Sequence, residues 1–193
     1  MPTKSPDPGS SARDRLLSAA NELFYDEGVR AVGIDRVIER AGVAKASLYS
    51  SFGSKEELVR SYLAARHDAR RARLERKLAT CSTPRDKLLG VFDLLAEVTA
   101  EPTFRGCAFQ RADAEMLPGS AVKEMTDLSR GWLRGVLVSL CREAGAAEPE
   151  RLAGRLVLLY DGAIVAVQMD GNRGAAGEAR AVAAALMAAA LPV

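Results

Sequence analysis

The stretch "AGVAKASLYSSFGSKEEL", residues 41–58, decides the fold. Gly42 ends a helical pattern that begins near Ile34. Only a three- or four-residue turn separates this helix from a second short apolar pattern, from Ala44 to Phe52. Two short helices joined by a tight turn at a glycine have the sequence form of a helix-turn-helix. We expect the apolar residues of the second helix to pack inward and its polar residues to face outward: Lys45, Ser47, Ser50 and Ser51.

Lys55, just after this helix pair, is unusual in its position. Ser54 and Glu57 have the spacing of a capping box, so a long helix is predicted to begin at Lys55. A cation in the first turn of a helix opposes the helix dipole. We therefore interpret Lys55 as a ligand for a phosphate oxygen rather than as a residue that stabilises its helix.

The rest of the chain predicts helices on both sides of this element. The sequence has 193 residues, 48% of them hydrophobic and 27% charged, and it shows helical periodicity without a strand pattern or an internal repeat. Helix-start signals recur, among them Ser11 with Asp14 and Thr83 before Pro84. The sequence predicts an all-α protein of about nine helices, with an N-terminal three-helix domain and a C-terminal helical domain.

The composition argues against several classes of protein. Three widely spaced cysteines and a single histidine favour neither a disulfide framework nor a metal site, and no cofactor is expected. The sequence has no phosphate-binding loop and no arrangement suited to a catalytic triad, so we do not expect an enzyme. Residues 1–11 are predicted to be a flexible tail without the apolar core of a signal peptide, and no apolar run is long enough to cross a bilayer. We expect a cytoplasmic protein that does not bind membranes.

The net charge of +2 hides a local excess of cations in "RHDARRARLERK", residues 66–77. Such a run is usually a solvated helix face. Next to a DNA-binding element it would also attract phosphate. The sequence leaves both interpretations open.

Residues 12–64 resemble the DNA-binding domain of the tetracycline-repressor (TetR) family. The residues that carry the resemblance are Phe24, Gly28 and the stretch quoted above, with Tyr49, Phe52, Lys55 and Leu58. "RGCAFQRADAE", residues 105–115, resembles the start of the sixth helix in one branch of these regulators. The resemblance implies a tail at 1–11, a DNA-binding domain at 12–64 with its helix-turn-helix at about 33–52, and a domain at 65–193 that binds a small molecule and dimerises.

The resemblance also implies a set of DNA contacts. The recognition helix, Ala44 to Phe52, would lie in the major groove, with Lys45 and the Ala44–Ala46 backbone near base edges. Ser47 would contact a base or a phosphate, while Tyr49, Ser50, Ser51 and Lys55 would hold phosphates. The alternative for Tyr49 is a core aromatic residue with its hydroxyl at the edge.

Two departures from the family pattern affect the expected contacts with DNA phosphates. Gly33 stands at the cap of the second helix, where relatives usually have Ser or Thr, so only its backbone N–H is available. Ser50 and Ser51 replace bulkier residues that are common there. Binding of phosphates would then depend more on Arg36, Arg13 and Arg15.

The C-terminal domain is expected to bind an apolar or aromatic effector, as the family implies. Polar contacts could come from Gln168, Asp113 and Asp161, although each apolar candidate could equally be plain core. The apolar candidates are Phe92, Leu95, Phe104, Phe109, Met116, Trp132, Val136 and Tyr160.

The last two helices are the expected dimer interface. "RLAGRLVLLYDGAIVAV", residues 151–167, is apolar on nearly all sides, and "EARAVAAALMAAAL", residues 178–191, is rich in small residues. We predict a two-fold dimer through a four-helix bundle, with intrachain packing as the alternative for the last helix.

These features predict a repressor that binds a palindromic operator as a homodimer and leaves it when an effector shifts the fourth helix. Two alternatives remain. One is a thiol-based sensor of oxidants or electrophiles through Cys107, which follows Gly106 at a predicted helix start between Arg105 and Arg111. The other is a DNA-binding protein that needs no ligand.

Overall fold

The computed structural model describes residues 10–115 and 120–192, and within these ranges the chain is helical without strands. The nine helices of this part are α1 (Ala12–Glu27), α2 (Ile34–Ala41), α3 (Lys45–Phe52), α4 (Lys55–Ala79), α5 (Pro84–Ala100), α6 (Ala108–Glu115), α7 (Ala121–Glu143), α8 (Pro149–Asp170) and α9 (Ala175–Ala190). The predicted all-α fold is confirmed. The last helix begins at Ala175 rather than at Glu178, because Ala175 and Ala176 are buried in the core and extend it.

The predicted capping residues set the helix ends. The Ser11 hydroxyl accepts a hydrogen bond from the Asp14 N–H at 3.1 Å, and the Thr83 hydroxyl accepts one from the Asp86 N–H at 3.0 Å. Such caps satisfy backbone donors that have no partner inside the helix. Gly42 ends α2 in the left-handed conformation, φ 62° and ψ 44°, which favours glycine.

The described chain forms two compact units. Unit 1 comprises residues up to His67 together with Ala108–Asp127. In it α1 packs against α2 and α3, and the core contains Leu16, Val37 and Leu48. The helix α6 therefore belongs to the same unit as the helix-turn-helix, although the 40 residues of Asp68–Cys107, which lie between them along the chain, belong to unit 2.

Unit 2 comprises Asp68–Cys107 and the chain from Leu128 onward. Its central packing is α8 against α9 and α5 against α9, with fully buried Phe92, Leu137, Leu156 and Met187. The helix α8 is long and apolar enough to cross a membrane by length and composition alone. Because it packs on α5 and α9, we interpret α8 as a core helix of unit 2 and not as a membrane span.

Candidate nucleic-acid interface

The short helix α3 has one buried side and one open side. Leu48 and Phe52 are buried in unit 1. On the opposite side Ala44, Lys45, Ala46, Tyr49 and Ser50 are exposed, and Ser47 and Ser51 are half-buried. Tyr49 is 46% exposed, so its ring is not a core residue, which was the alternative for it. The side of α3 that carries the candidate DNA contacts is therefore open.

The backbone at the start of α3 is also open. Ala44 is the N-cap and supplies no side-chain hydrogen bond, so α3 begins at Lys45, one residue after the predicted start. The first N–H groups of a helix have no acceptor within it, and together with the helix dipole they favour an anion. The backbone N–H groups of the exposed residues Lys45 and Ala46 can therefore donate hydrogen bonds to a phosphate oxygen.

Lys45 is held by a residue that the sequence analysis missed. Its Nζ lies 3.0 Å from Asp35 Oδ1, and both side chains are exposed. The hydrogen bond from Lys45 to Asp35, and then the charge of Asp35, raise the pKa of Lys45. Asp35 lies in the first turn of α2. Because it is ten residues from Lys45 and on a different helix, no short sequence pattern predicts this pair. Exposed ion pairs are weak, so Lys45 can exchange Asp35 for a base edge.

The two candidates on α2, Arg36 and Gly33, differ in their surroundings. The two terminal nitrogens of Arg36, Nη1 and Nη2, both donate hydrogen bonds to the carboxylate of Glu27, with Nη2 to Oε1 at 2.9 Å. This hydrogen bond is also the main reason that the pKa of Glu27 is lowered. Gly33 is the exposed N-cap of α2 and makes no side-chain cap, and a Cβ there would have no heavy atom within 4 Å. Arg36 thus ties α2 to α1, while Gly33 leaves space for a larger residue.

Lys55 starts α4 with the cap that the sequence predicts. The Ser54 hydroxyl accepts a hydrogen bond from the Glu57 N–H at 3.1 Å. Burial lowers the pKa of Lys55, and the charge of Glu115 on α6 partly offsets this effect. The Glu115 carboxylate also accepts a hydrogen bond from the Arg30 N–H at 2.7 Å. Lys55 is therefore half-buried within reach of one carboxylate rather than fully open.

Contacts of α6 within unit 1 extend to the end of α1. Arg111 donates a hydrogen bond to the backbone carbonyl of Tyr25, and the Arg66 guanidinium lies 3.7 Å from the centre of the Tyr25 ring. Gly28 has a φ of 101°, and a Cβ there would lie 2.6 Å from Glu115 Oε1. The positive φ therefore favours glycine at position 28, and any Cβ there would also force the Glu115 carboxylate to move.

Most effector-site candidates lie in unit 2. Phe92 and Leu95 on α5 are fully buried in its core, and four others are half-buried against the same core: Phe104, Trp132, Val136 and Tyr160. The exposed side chain of Gln168 lies against Gly106, where a Cβ would be 2.1 Å from its Oε1. Asp161 pairs with Arg130 at 2.8 Å.

The remaining candidates do not join this group. Phe109 and Asp113 lie on α6, and α6 belongs to unit 1. Phe109 is buried there and accepts a hydrogen bond from the Thr126 hydroxyl through its carbonyl. Met116 lies outside the described residues. The sequence could not separate Phe109 from the other aromatics because helical spacing does not tell which neighbour a buried face meets.

The cysteines have different environments. Cys141 is fully buried, and burial raises the pKa of its thiol to about 11. Cys81 donates a weak hydrogen bond to the Lys77 carbonyl at 3.6 Å. Cys107 is half-buried just before α6. Of these three, Cys141 fits the role of an inert apolar filler best.

Comparison with known proteins identifies the DNA-binding part of the chain. Residues 16–62 match the family described as bacterial regulatory proteins, tetR family. The chain is 35% identical over 92 residues to the HTH-type transcriptional repressor KstR2 of Mycolicibacterium smegmatis. It is 38% identical over 81 residues to the HTH-type transcriptional activator FasR of the same organism. These matches cover 48% and 42% of this chain but only 45% and 37% of the relatives, so they concern less than half of each.

The likeness of the fold extends over nearly the whole chain. The crystal structure of SCO4454, a TetR-family transcriptional regulator from Streptomyces coelicolor, superposes with a TM-score of 0.88 at 28% sequence identity. The superposition covers 93% of this chain and 95% of that one. Both the matched domain and the complete helical arrangement are those of one group of regulators rather than of enzymes. Residues 16–62 therefore form a tetR-family domain, and the fold of the chain is that of a TetR-family transcriptional regulator.

Proposed function

We propose that this protein is a transcriptional repressor that binds a palindromic operator as a homodimer and is released by a small-molecule effector. The observation that carries the proposal is the open side of α3. There an exposed lysine, an exposed tyrosine and small hydroxyl residues surround free backbone donors. Lys45 would read a guanine edge, and Ser47, Tyr49, Ser50 and Ser51 would hold the backbone on either side of it.

The proposed dimer rests on apolar side chains that unit 2 leaves uncovered. Leu158, Val165 and Met169 are exposed at helical spacing on one side of α8, and Val182 is exposed on α9. Leu158 is 73% exposed and Met169 is 78% exposed. Pairing this side with a second copy would bury it in a four-helix bundle, in which the same surface of both subunits is used. Two copies of α3 would then reach successive major grooves, about 34 Å apart.

The proposed release works through α4. This helix contributes Lys55 to unit 1 and its residues from Asp68 onward to unit 2. An apolar or aromatic effector bound in unit 2 would shift α4 and change the separation of the two recognition helices. The effector achieves this only if it binds the conformation that does not fit DNA more tightly than the one that does.

Footprinting on the DNA that flanks the gene of this protein tests the proposal. We expect one protected palindrome and loss of protection when the effector is added. Uniform protection along all DNA would point instead to a protein that binds DNA without an operator. A protected palindrome that no small molecule releases would point to a ligand-independent regulator.

A thiol sensor is a second candidate, because Cys107 is half-buried whereas Cys141 is fully buried. Titration of the native protein with a thiol reagent at neutral pH distinguishes the two functions. A sensor requires Cys107 to react rapidly and its modification to release DNA. Cys141 is the internal control, since its buried thiol with a pKa of about 11 should react only after unfolding.

A further inference from the structure

Arg70 on α4 lies beside a buried hydroxyl and two aromatic rings of unit 2. Its Nη1 donates a hydrogen bond to the hydroxyl of the fully buried Ser129 at 3.2 Å. Its guanidinium carbon lies 5.7 Å from the centre of the Trp132 ring and 5.4 Å from that of Tyr160. Residues of α4, α7 and α8 thus surround a single cationic group.

No carboxylate neutralises this cation directly. Within the part of the chain that the structure describes, Arg70 has no ion pair, and Asp161, whose charge it feels, is already paired with Arg130 at 2.8 Å. A guanidinium has five N–H donors in a planar fork, and the hydroxyl of Ser129 and that of Tyr160 engage only part of it. Arg70 is half-buried, so its charge is partly removed from water without a neutralising partner. Arg70 therefore has donors available for an anionic partner.

The surrounding residues add walls that suit an apolar or aromatic group. The Tyr160 ring packs edge-on against Phe92, with 6.4 Å between ring centres, and Phe92 is fully buried. Trp132 and Tyr160 are half-buried, so both side chains keep some exposure to solvent. Burial acts to lower the pKa of Arg70, but Tyr160, Cys107 and Asp161 outweigh it and the pKa is raised. The guanidinium therefore stays charged at physiological pH.

We propose that Arg70 binds the carboxylate of the effector, and that the effector is an apolar or aromatic carboxylic acid whose hydrocarbon part contacts Trp132 and Tyr160. An arginine fork matches a carboxylate in geometry and can bind it through two parallel hydrogen bonds. The inference deepens the proposed function, on which it rests for the role of unit 2. It also narrows the effector from apolar molecules in general to anionic ones.

Trp132 provides a direct measurement, because it is the only tryptophan in the sequence. The full-length protein is titrated with phenylacetate, 4-phenylbutyrate and 2-naphthoate, and with the matching uncharged primary amides, while Trp132 fluorescence is recorded. We expect a saturable change with at least one acid. Its amide should bind about tenfold or more weakly, as expected for the loss of a hydrogen bond between charged groups.

Two variants separate the role of Arg70 from a general effect of charge. Arg70→Gln should remove the preference for the acid over its amide. Arg134→Gln makes the same change of charge at an exposed position of the helix that carries Trp132, and it should keep the preference. If Arg70→Gln does not fold, as judged by circular dichroism, the binding of acids and amides to the unchanged protein still shows whether the site prefers an anion.

Equal binding of acids and amides would overturn the inference, as would the absence of any fluorescence change across the acid series or an unchanged preference in Arg70→Gln. Operator binding is measured on the same preparations. Release of the operator by neutral compounds alone would overturn the inference that the effector is an anion, and it would leave the proposed function intact. Acid binding through Arg70 in a protein that recognises no operator would overturn the proposed function and leave this site intact.

Discussion

At the scale of a single residue, Lys45 forms an ion pair in the free protein that it can exchange for a contact with DNA. Its ammonium group lies 3.0 Å from Asp35, and both groups are exposed. Water and salt weaken such a pair, so the lysine can leave Asp35 when a guanine edge is offered. Asp35 would also repel phosphate at this position and disfavour binding in a wrong register.

Replacing Lys45 with Ala is expected to reduce discrimination between operator and random DNA. A good base contact accounts for roughly a five- to hundredfold preference over the wrong base. Binding constants on both kinds of DNA, measured by fluorescence anisotropy at one salt concentration, give the ratio. Asp35→Asn is the matched control because it removes the pair but keeps the base reader. An equal loss on operator and random DNA for Lys45→Ala would refute direct reading by Lys45.

Replacing Lys55 with Ala is expected to act differently, because a phosphate contact does not depend on sequence. Affinity should fall by a similar factor on all DNA, and the slope of log affinity against log salt should become shallower by about one. Anisotropy titrations over a range of salt concentrations measure both. An unchanged salt slope would show that Lys55 does not bind phosphate.

Single residues also show where sequence reasoning reached its limit. Ser11, Ser54 and Thr83 could be recognised because a cap and its partner lie three residues apart. Arg70 was hidden in a run of cations that is typical of a solvated face. The signal that would have found it is helical spacing, since Leu63, His67 and Leu74 on the same side of α4 are all buried.

At the scale of a helix, the glycine at the start of α2 can be tested by substitution. Gly33 is the N-cap of α2 in an extended conformation, φ −78° and ψ 158°, and leaves open space where a Cβ would be. Any residue can adopt this conformation. A serine there can cap α2 and also reach a phosphate.

We expect Gly33→Ser to raise the affinity for all DNA and to stabilise the free protein by only a few tenths of a kcal/mol. Gly33→Ala is the control, since it fills the same space without a hydroxyl and alanine is the poorer N-cap. Anisotropy titrations and thermal unfolding measure the two effects. If both variants bind DNA equally, the start of α2 does not contact phosphate.

The placement of α6 could not be predicted from the sequence. The segment at residues 105–115 indicated a helix, but its unit depends on contacts with distant residues. The Arg111 hydrogen bond to the Tyr25 carbonyl and the Glu115 hydrogen bond to the Arg30 N–H each join positions more than 80 residues apart. Periodicity identifies which side of α6 is apolar but not its partner. Sequence reasoning therefore groups Phe109 with effector-site candidates, most of which lie in unit 2.

At the scale of the whole molecule, the proposed DNA reading requires a dimer, because one short helix would contact too few base pairs to define a site. The exposed apolar side of α8 and α9 is the surface we assign to that contact. Its residues are exposed in the single chain, so changing them should not disturb the fold of unit 2.

Met169→Glu is expected to give a folded monomer with strongly weakened operator binding, because the introduced charge would be buried twice across the two-fold axis. Light scattering coupled to size-exclusion chromatography measures the mass. Leu128→Glu is the matched control on α7, where an apolar side chain is 51% exposed outside α8 and α9. A Met169→Glu protein that remains a dimer would place the interface elsewhere.

Selection of bound sequences from a random duplex library tests the central claim most directly. For the unchanged protein, we expect enrichment of two inverted half-sites whose centres lie about one helical turn or a multiple of it apart. The same selection with Lys45→Ala should lose the base preference within each half-site. Enrichment of no sequence, or of a single half-site without its inverted copy, would contradict the claim that two copies of α3 read DNA together.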